Sequence, residues 1–143
     1  MSLKMDEGDL QAFLAREFPQ VTDMFVVEEV RPMALRVRMP VTDANLRPGG
    51  TVSGPSMFGL ADVGVYLAVL AMIGPEALAV TTNCSIDFMR KPEAGRDLVA
   101  EVELLKLGRA LAVGDVRITS DGRSDPVARA TLTYSIPPRP NLG

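Results

Sequence analysis

One acidic residue stands alone in a long apolar stretch of this chain. Asp62 is the only charged residue between Pro55 and Ile73. Placing a carboxylate in such surroundings costs free energy unless the group has a partner or a chemical task. A carboxylate with a task can act as a general base toward water or attack an electrophilic carbon itself. Asp62 is therefore the candidate catalytic residue, and a structural carboxylate at a subunit interface is the alternative.

The residue types that are missing narrow the chemistry further. The 143-residue chain contains no histidine and a single cysteine, Cys84. Ser-His-Asp and Cys-His nucleophile systems and histidine-ligated metal sites are therefore excluded. Any catalysis must use carboxylates, hydroxyls, amides or backbone dipoles, and we expect no metal and no cofactor. Cys84 is expected to be a small buried apolar residue.

A glycine-rich turn leads into the apolar stretch. Pro55 suits a first helical turn, because its missing N–H would have no partner there, and Gly74 followed by Pro75 supplies the stop signal. The sequence therefore predicts a helix between these two signals, with unpaired N–H groups at its start near Gly54. Such donors bind anions and stabilise a developing oxyanion. A flexible loop is the alternative for the glycine-rich turn.

The apolar stretch is also about as long as a membrane span. Asp62, the internal glycines and the lack of Lys or Arg at either flank argue against a span. A helix that is apolar on most of its circumference and surrounded by protein fits better. We therefore expect no membrane as a partner.

The bulk composition indicates one globular domain over residues 1–143. Apolar residues make up 47% of the chain and charged residues 23%, and the net charge is −3. No basic cluster is present, so we expect no nucleic acid as a partner. A single cysteine and the lack of a signal peptide predict a cytoplasmic protein. Residues 1–4 and 138–143 are expected to be poorly ordered.

Periodicity predicts what surrounds the central helix. A short amphipathic helix comes first, and six segments then alternate apolar and polar residues as strands do. The predicted helix covers 6–18, and the predicted strands cover 24–30, 34–41, 78–89, 98–107, 110–119 and 127–136. Alternation of this kind is typical of an antiparallel sheet with one buried face. We therefore predict an α+β fold, in which a curled antiparallel sheet of about six strands wraps round one long central helix.

This order of elements resembles the hotdog fold, and specifically the PaaI-like (phenylacetyl-CoA thioesterase-like) branch of the hotdog acyl-CoA thioesterases. The resemblance covers about 35–136 and is carried by the runs 53–62, 85–92 and 104–112. In that branch a loop that ends in His-Gly-Gly leads into the helix, and an aspartate closes a Leu-Ala-Asp-like run. Here the run Leu60-Ala61-Asp62 matches that pattern. Three positions differ, since Ser53 replaces the histidine, Pro55 replaces the second glycine, and Arg47, with Asn45 close by, replaces an upstream asparagine.

The resemblance implies an acyl-CoA thioesterase, which hydrolyses an acyl-CoA thioester to a free acid and CoA without a metal. Asp62 takes the position of the catalytic carboxylate, as general base or as nucleophile. The Gly54 N–H takes the position of the oxyanion donor, and Thr81 that of a hydroxyl that orients the attacking water. Strict alternation would place Thr81 on one face with Asn83. Because the sequence does not say which face meets the helix, Thr82 is the alternative to Thr81.

Further positions are implied in substrate or CoA binding. They are Ser53, Tyr66, Asn83, Arg90, Lys91, Lys106 and Arg109. The basic residues among them match positions that bind the phosphates of CoA, a role that suits Arg and Lys; ordinary solvated charges are the alternative. Tyr66 lies one helical turn after Asp62 and is expected to be core or pocket wall.

Self-association is also implied, because hotdog relatives place the site between subunits. A homodimer is therefore the expected minimum, and a homotetramer is also open. The strand predicted over 78–89 has few charges before Asp87 and could pair with its symmetry mate. The alternative function is a non-catalytic protein that binds acyl-CoA or another small apolar ligand. Hotdog hydratase chemistry is disfavoured because it relies on a histidine.

Overall fold

The computed structural model describes residues 2–138 and contains every helix and strand that the periodicity predicts. The element boundaries differ from the predicted ones by no more than two residues. The elements are, in chain order, α1 (Glu7–Glu17), β1 (Val26–Arg31), β2 (Ala34–Met39), a 3-10 turn (Asp43–Asn45), α2 (Gly54–Ile73), β3 (Val80–Phe88), β4 (Leu98–Leu107), β5 (Leu111–Ser120) and β6 (Pro126–Ser135).

The six strands form one antiparallel sheet in the order β1-β2-β4-β5-β6-β3. Strands β1 and β3 are therefore its edges. The inner face is apolar, as the buried Ala100 and Val102 of β4 illustrate, whereas the intervening Glu101 is exposed. The inner face packs against α2, and α1 packs against β1 and α2. This α+β architecture confirms the predicted hotdog fold.

Two glycines allow α2 to lie close against the sheet. A Cβ at Gly64 would lie 2.9 Å from Cγ2 of Val102, and a Cβ at Gly114 would lie 2.9 Å from both methyl groups of Val65. Glycine inside a helix or strand normally weakens the element, so its presence here indicates a close approach of backbone to side chain. Helix α2 has the length and composition of a membrane span, but 72% of its most apolar window is buried within the protein.

The N-terminal segment is attached to the far end of α2. Asp6 caps α1 in a reciprocal capping box with Asp9, which satisfies two backbone donors at the helix start. The Lys4 N–H donates to the Ala71 carbonyl at 2.7 Å, and Leu3 packs against the core. Of the C-terminal segment expected to be poorly ordered, residues 139–143 lie outside the described residues.

Candidate active site

A β-bulge in β3 determines which hydroxyl faces α2. Thr81 pairs with Tyr134 of β6, whereas Asn83 pairs with the next residue, Thr133, so that Thr82 is an extra residue. The bulge shifts the alternation, and Thr81 therefore lies on the inner face while Asn83 lies on the outer face. The expectation that these two residues share a face is wrong, because it assumed strict alternation. The Thr82 hydroxyl donates instead to the Thr133 carbonyl at 3.3 Å.

Two hydroxyl groups hold the Asp62 carboxylate through one of its oxygens. The Thr81 hydroxyl donates to Oδ1 of Asp62 in a short hydrogen bond. The Tyr134 hydroxyl lies 2.8 Å from the same oxygen and 2.9 Å from the backbone carbonyl of Asp62. Burial, followed by the charge of Asp62, raises the pKa of Tyr134 well above its usual range. Tyr134 therefore keeps its proton at neutral pH and acts as a donor.

The second carboxylate oxygen of Asp62 is open. No hydrogen-bond or ion-pair partner within residues 2–138 contacts Oδ2. Within the same residues no buried side-chain oxygen lacks a hydrogen-bond partner, so Oδ2 is accessible to solvent. Asp62 lines a cleft of about 440 Å³, together with Tyr66, Thr81 and Tyr134. The free oxygen can therefore meet a water molecule or a substrate in that cleft.

Tyr66 belongs to the wall of this cleft and makes no hydrogen bond to Asp62. Its hydroxyl donates to the Ala77 carbonyl at 3.1 Å. Its ring centroid lies 6.3, 6.5 and 6.1 Å from those of Phe13, Phe18 and Tyr134. Burial, followed by the charges of two acidic residues, raises the pKa of Tyr66 to about 12. The position agrees with the expectation of a pocket wall.

Gly54 begins α2, and its backbone N–H is available. Ser53 is the N-cap, and its hydroxyl oxygen accepts from the Ser56 N–H at 3.3 Å. The Gly54 N–H has no acceptor within the described chain, as expected for a first-turn donor. Gly54 lies eight residues before Asp62, which corresponds to about 12 Å along the helix. One protomer therefore does not bring the Gly54 N–H and its own Asp62 to the same substrate atom.

Asn45, and not Arg47, is the polar residue that lies at the start of α2. The Asn45 side chain is buried, accepts from the Thr42 N–H at 2.8 Å and donates to the Ser56 hydroxyl at 3.3 Å. The backbone carbonyl of Asn45 accepts from the Ser53 N–H at 2.8 Å. Arg47 is exposed. Asn45 thus fixes the loop that precedes Gly54.

The four basic residues implied in CoA binding fall into two separate groups. Arg90 and Lys91 follow the end of β3, and the Arg90 guanidinium donates to the Pro126 carbonyl at 2.9 Å. Lys106 and Arg109 lie at the β4–β5 hairpin, close to the start of β3, since Leu111 and Val80 both pair with Ser135. The structure therefore does not bring the two groups together within one protomer. Asn83 is exposed on the outer face of the sheet, so its side chain points away from the Asp62 carboxylate and from the cleft that Asp62 lines.

Tyr134 is the site residue to which the sequence assigned no role. Tyr134 lies on the inner face of β6 together with Ala130 and Leu132, as alternation along the predicted strand 127–136 requires. A lone hydroxyl on an otherwise apolar strand face indicates a buried hydrogen-bond partner, and this signal was present in the sequence. No three or more acidic or cysteine side chains converge as metal ligands within residues 2–138.

Comparison with known proteins identifies the family of this chain. The model of the thioesterase superfamily matches residues 49–127, which include Gly54, Asp62 and Thr81. A protein from Silicibacter sp. TM1040, whose crystal structure carries a provisional thioesterase name, is 57% identical to this chain. The two structures align with a TM-score of 0.90, and the alignment covers 96% of each chain.

Two more distant structures extend the comparison. The phenylacetic acid degradation protein PaaI from Thermus thermophilus, solved as a mutant, is 28% identical with a TM-score of 0.71, over 83% of this chain and 99% of that one. A provisionally named thioesterase from Streptococcus pneumoniae, solved with coenzyme A, is 26% identical with a TM-score of 0.75, over 90% of this chain and 96% of that one. The present chain therefore belongs to the thioesterase superfamily, within the PaaI-like branch of the hotdog-fold thioesterases.

Proposed function

We propose that this protein is an acyl-CoA thioesterase that uses Asp62 to release a free acid and CoA, without a metal or a further cofactor. The observation that carries the proposal is the carboxylate itself. Thr81 and Tyr134 hold its Oδ1, and its Oδ2 is left open to a cleft. A related thioesterase binds coenzyme A, which supports an acyl-CoA as the ligand.

The reaction needs few groups. A water molecule held by Oδ2 transfers a proton to Asp62 while the water oxygen attacks the thioester carbon. Negative charge then develops on the carbonyl oxygen of the thioester. The tetrahedral intermediate then expels the CoA thiolate, which takes up the proton. Alternatively, Oδ2 attacks the carbonyl carbon directly and displaces the CoA thiolate, and water then hydrolyses the resulting anhydride and supplies the proton that the thiolate takes up. Label found in Asp62 after a single turnover in ¹⁸O-labelled water would establish the anhydride route, since general-base catalysis places the label only in the product acid.

If the Gly54 N–H is the oxyanion donor, it must come from a second copy of the chain. Gly54 lies beside Phe88, near the end of β3, because a Cβ at Gly54 would lie 3.3 Å from Cζ of Phe88. Asp62 contacts Thr81, near the start of β3. Helix α2 therefore runs antiparallel to β3, and the donor and the carboxylate lie toward opposite ends of that strand.

Symmetric pairing of β3 between two subunits would bring the Gly54 N–H of one subunit close to the Asp62 carboxylate of the other. Strand β3 is a sheet edge, and Val80, Phe88 and Met89 at or beside its ends are 55%, 52% and 43% exposed. If two copies pair antiparallel about the middle of β3, the partner's Phe88 lies opposite the start of β3, close to Thr81. The partner's Gly54 N–H then lies near Asp62. We therefore propose a homodimer with two sites, each built from both subunits.

The same pairing also unites the basic residues. The strand end that carries Arg90 and Lys91 would lie beside the partner's β4–β5 hairpin, which carries Lys106 and Arg109. Cations from both subunits would then flank one site. Arg and Lys in such a group suit the phosphates of CoA, so this arrangement supports CoA binding at the dimer interface.

The direct test is hydrolysis of a panel of acyl-CoAs, with the released thiol measured for the wild type and for Asp62→Asn. We expect turnover in the wild type and a loss of at least about a hundredfold in kcat for the variant. Equal turnover in both proteins would overturn the role of Asp62. Binding of acyl-CoAs without turnover by the wild type would instead indicate a non-catalytic binding protein.

A further inference from the structure

We propose that the cleft beside Asp62 is an acyl subsite that favours acyl groups with an uncharged end over acyl groups that end in a carboxylate, and that Glu17 sets this preference. The inference rests on the proposed function, since it assigns a substrate class to the same site. It is carried by the residues that α1 adds to the cleft.

An aromatic wall forms the apolar part of the cleft. Phe18, at the C-terminal end of α1, lines the cleft and packs edge-on against Tyr66, with centroids 6.5 Å apart and ring planes at 88°. Val63 and Ala79 also line the cleft. Phe18 remains 37% exposed, so an apolar acyl chain or an aryl ring could bury part of its surface. Burial of that surface would favour binding.

The rim of the same cleft is acidic. Glu17 lines it, next to Phe18, and no Lys or Arg is found among the described residues that line it. Arg16 pairs with Glu17 at 3.4 Å, but both side chains are exposed, and the Arg16 guanidinium lies over the ring of Phe13 at 5.6 Å. An exposed pair of this kind contributes little free energy, so Glu17 is readily released from it, and Glu17 but not Arg16 lines the cleft.

A second acidic residue acts on the cleft from the facing loop. The charges of Glu17 and Glu76 both contribute, after burial, to the raised pKa of Tyr66, and no cation appears among the causes. The two charged groups that act on the Tyr66 hydroxyl are therefore both acidic. A carboxylate at the end of an acyl group would approach Glu17 and Glu76 with no Lys or Arg of the same protomer, among the described residues of the cleft lining, to pair with. A methyl or phenyl end carries no charge and would not be repelled.

The experiment compares hexanoyl-CoA with adipoyl-CoA, whose acyl groups both have six carbons but differ by a terminal carboxylate. We expect the wild type to have a kcat/KM at least about tenfold higher for hexanoyl-CoA. Glu17→Lys is expected to lower this ratio about tenfold, and Glu17→Gln to lower it less. The control Glu103→Lys makes the same charge change on an exposed outer-face residue of β4, and it should keep the wild-type ratio.

Binding of two unreactive thioethers separates this inference from the proposed function. S-hexyl-CoA is expected to bind the wild type about tenfold more tightly than S-(5-carboxypentyl)-CoA, and Glu17→Lys should reduce that difference. Tighter binding of S-hexyl-CoA without hydrolysis of any acyl-CoA would overturn the hydrolase and leave the subsite standing. Hydrolysis with equal ratios in the wild type and Glu17→Lys, or equal affinities for the two thioethers, would overturn the subsite.

Discussion

The hydroxyl of Tyr134 lies 2.8 Å from Oδ1 of Asp62, the same oxygen that accepts the Thr81 hydroxyl. Residues from β6, β3 and α2 thus meet at one carboxylate oxygen. Two donors on one oxygen fix the orientation of the carboxylate and direct the other oxygen toward the cleft. This arrangement assigns different tasks to the two oxygens, since Oδ1 anchors and Oδ2 is free to react.

Removal of the Tyr134 hydroxyl should slow the chemical step more than it weakens substrate binding. We expect Tyr134→Phe to lower kcat about tenfold with a much smaller change in KM, because one hydrogen bond to the reacting carboxylate is lost. The control Thr131→Val removes an exposed hydroxyl from the same strand, where it donates to Asp115 at 3.2 Å, and should have little effect. An unchanged kcat in Tyr134→Phe would contradict this positioning role.

The backbone N–H of Gly54 can be removed while its surroundings are kept similar. Gly54→Pro deletes the donor at a position where proline is compatible with a helix start. We expect kcat to fall by about a hundredfold or more, the usual effect of losing an oxyanion donor. Gly54→Ala keeps the N–H and requires the Phe88 ring to shift by a few tenths of an ångström, so its loss should be less than tenfold. Equal losses in the two variants would indicate a steric effect instead.

The close packing of α2 on the sheet predicts opposite effects for two glycine substitutions. Gly64→Ala places a Cβ 2.9 Å from Val102, and overpacking of this kind costs about 1–3 kcal/mol. The Cβ added by Gly59→Ala would have no atom within 4 Å. This variant should therefore raise the free energy of unfolding by about 0.5–1 kcal/mol, because alanine favours the helix more than glycine does. Urea denaturation measures both changes in the free energy of unfolding. A stabilising Gly64→Ala would show that the packing is looser than described.

One ion pair should make stability depend on acid pH. The Arg123 guanidinium donates to both oxygens of Glu93, at 2.6 and 2.9 Å, and lowers the pKa of Glu93 from 4.5 to about 2. Because the pKa is lower in the folded state, the stabilisation is present above pH 4.5 and is lost as the pH falls toward 2.

The corresponding measurement is thermal unfolding of Glu93→Gln and the wild type over that pH range. We expect the variant to be less stable at pH 7 and equal to the wild type near pH 2. Glu103→Gln serves as the control, since Glu103 is exposed and has no ion pair within residues 2–138. A stability difference between Glu93→Gln and the wild type that stays constant with pH would contradict the ion-pair explanation.

The sequence predicted the fold well because its signals are local. The period-two alternation identified each strand, and Pro55 with Gly74 bounded α2, whose start and end fall at Gly54 and Ile73. The order of the strands in the sheet is a non-local property. Strand β3 is an edge of this sheet because, within residues 2–138, it has β6 as a neighbour on one side and no strand on the other. No pattern within β3 itself determines that pairing.

The site was predicted only in part. Asp62 was recognisable as a lone charge in an apolar run, and Gly54 as a donor at a helix start. The inner-face position of Thr81 depends on the bulge at Thr82. Glycine, a common sequence signal for a bulge, is absent from β3, so the sequence does not indicate this bulge. The burial of Asn45 likewise depends on how its loop folds back onto α2. These features depend on contacts between distant segments and could not be predicted from local sequence.

Complementation between two inactive variants is the most direct measurement of a shared site. Asp62→Asn and Gly54→Pro are produced separately and together, and hydrolysis of hexanoyl-CoA is measured for each sample. In a mixed dimer, one site combines the Asp62 of one subunit with the Gly54 N–H of the other and is intact. Random assortment should therefore restore about a quarter of the wild-type activity per subunit. Activity in the mixture no higher than that of the separate variants, with mixed dimers verified, would contradict a site built from Asp62 and the partner's Gly54.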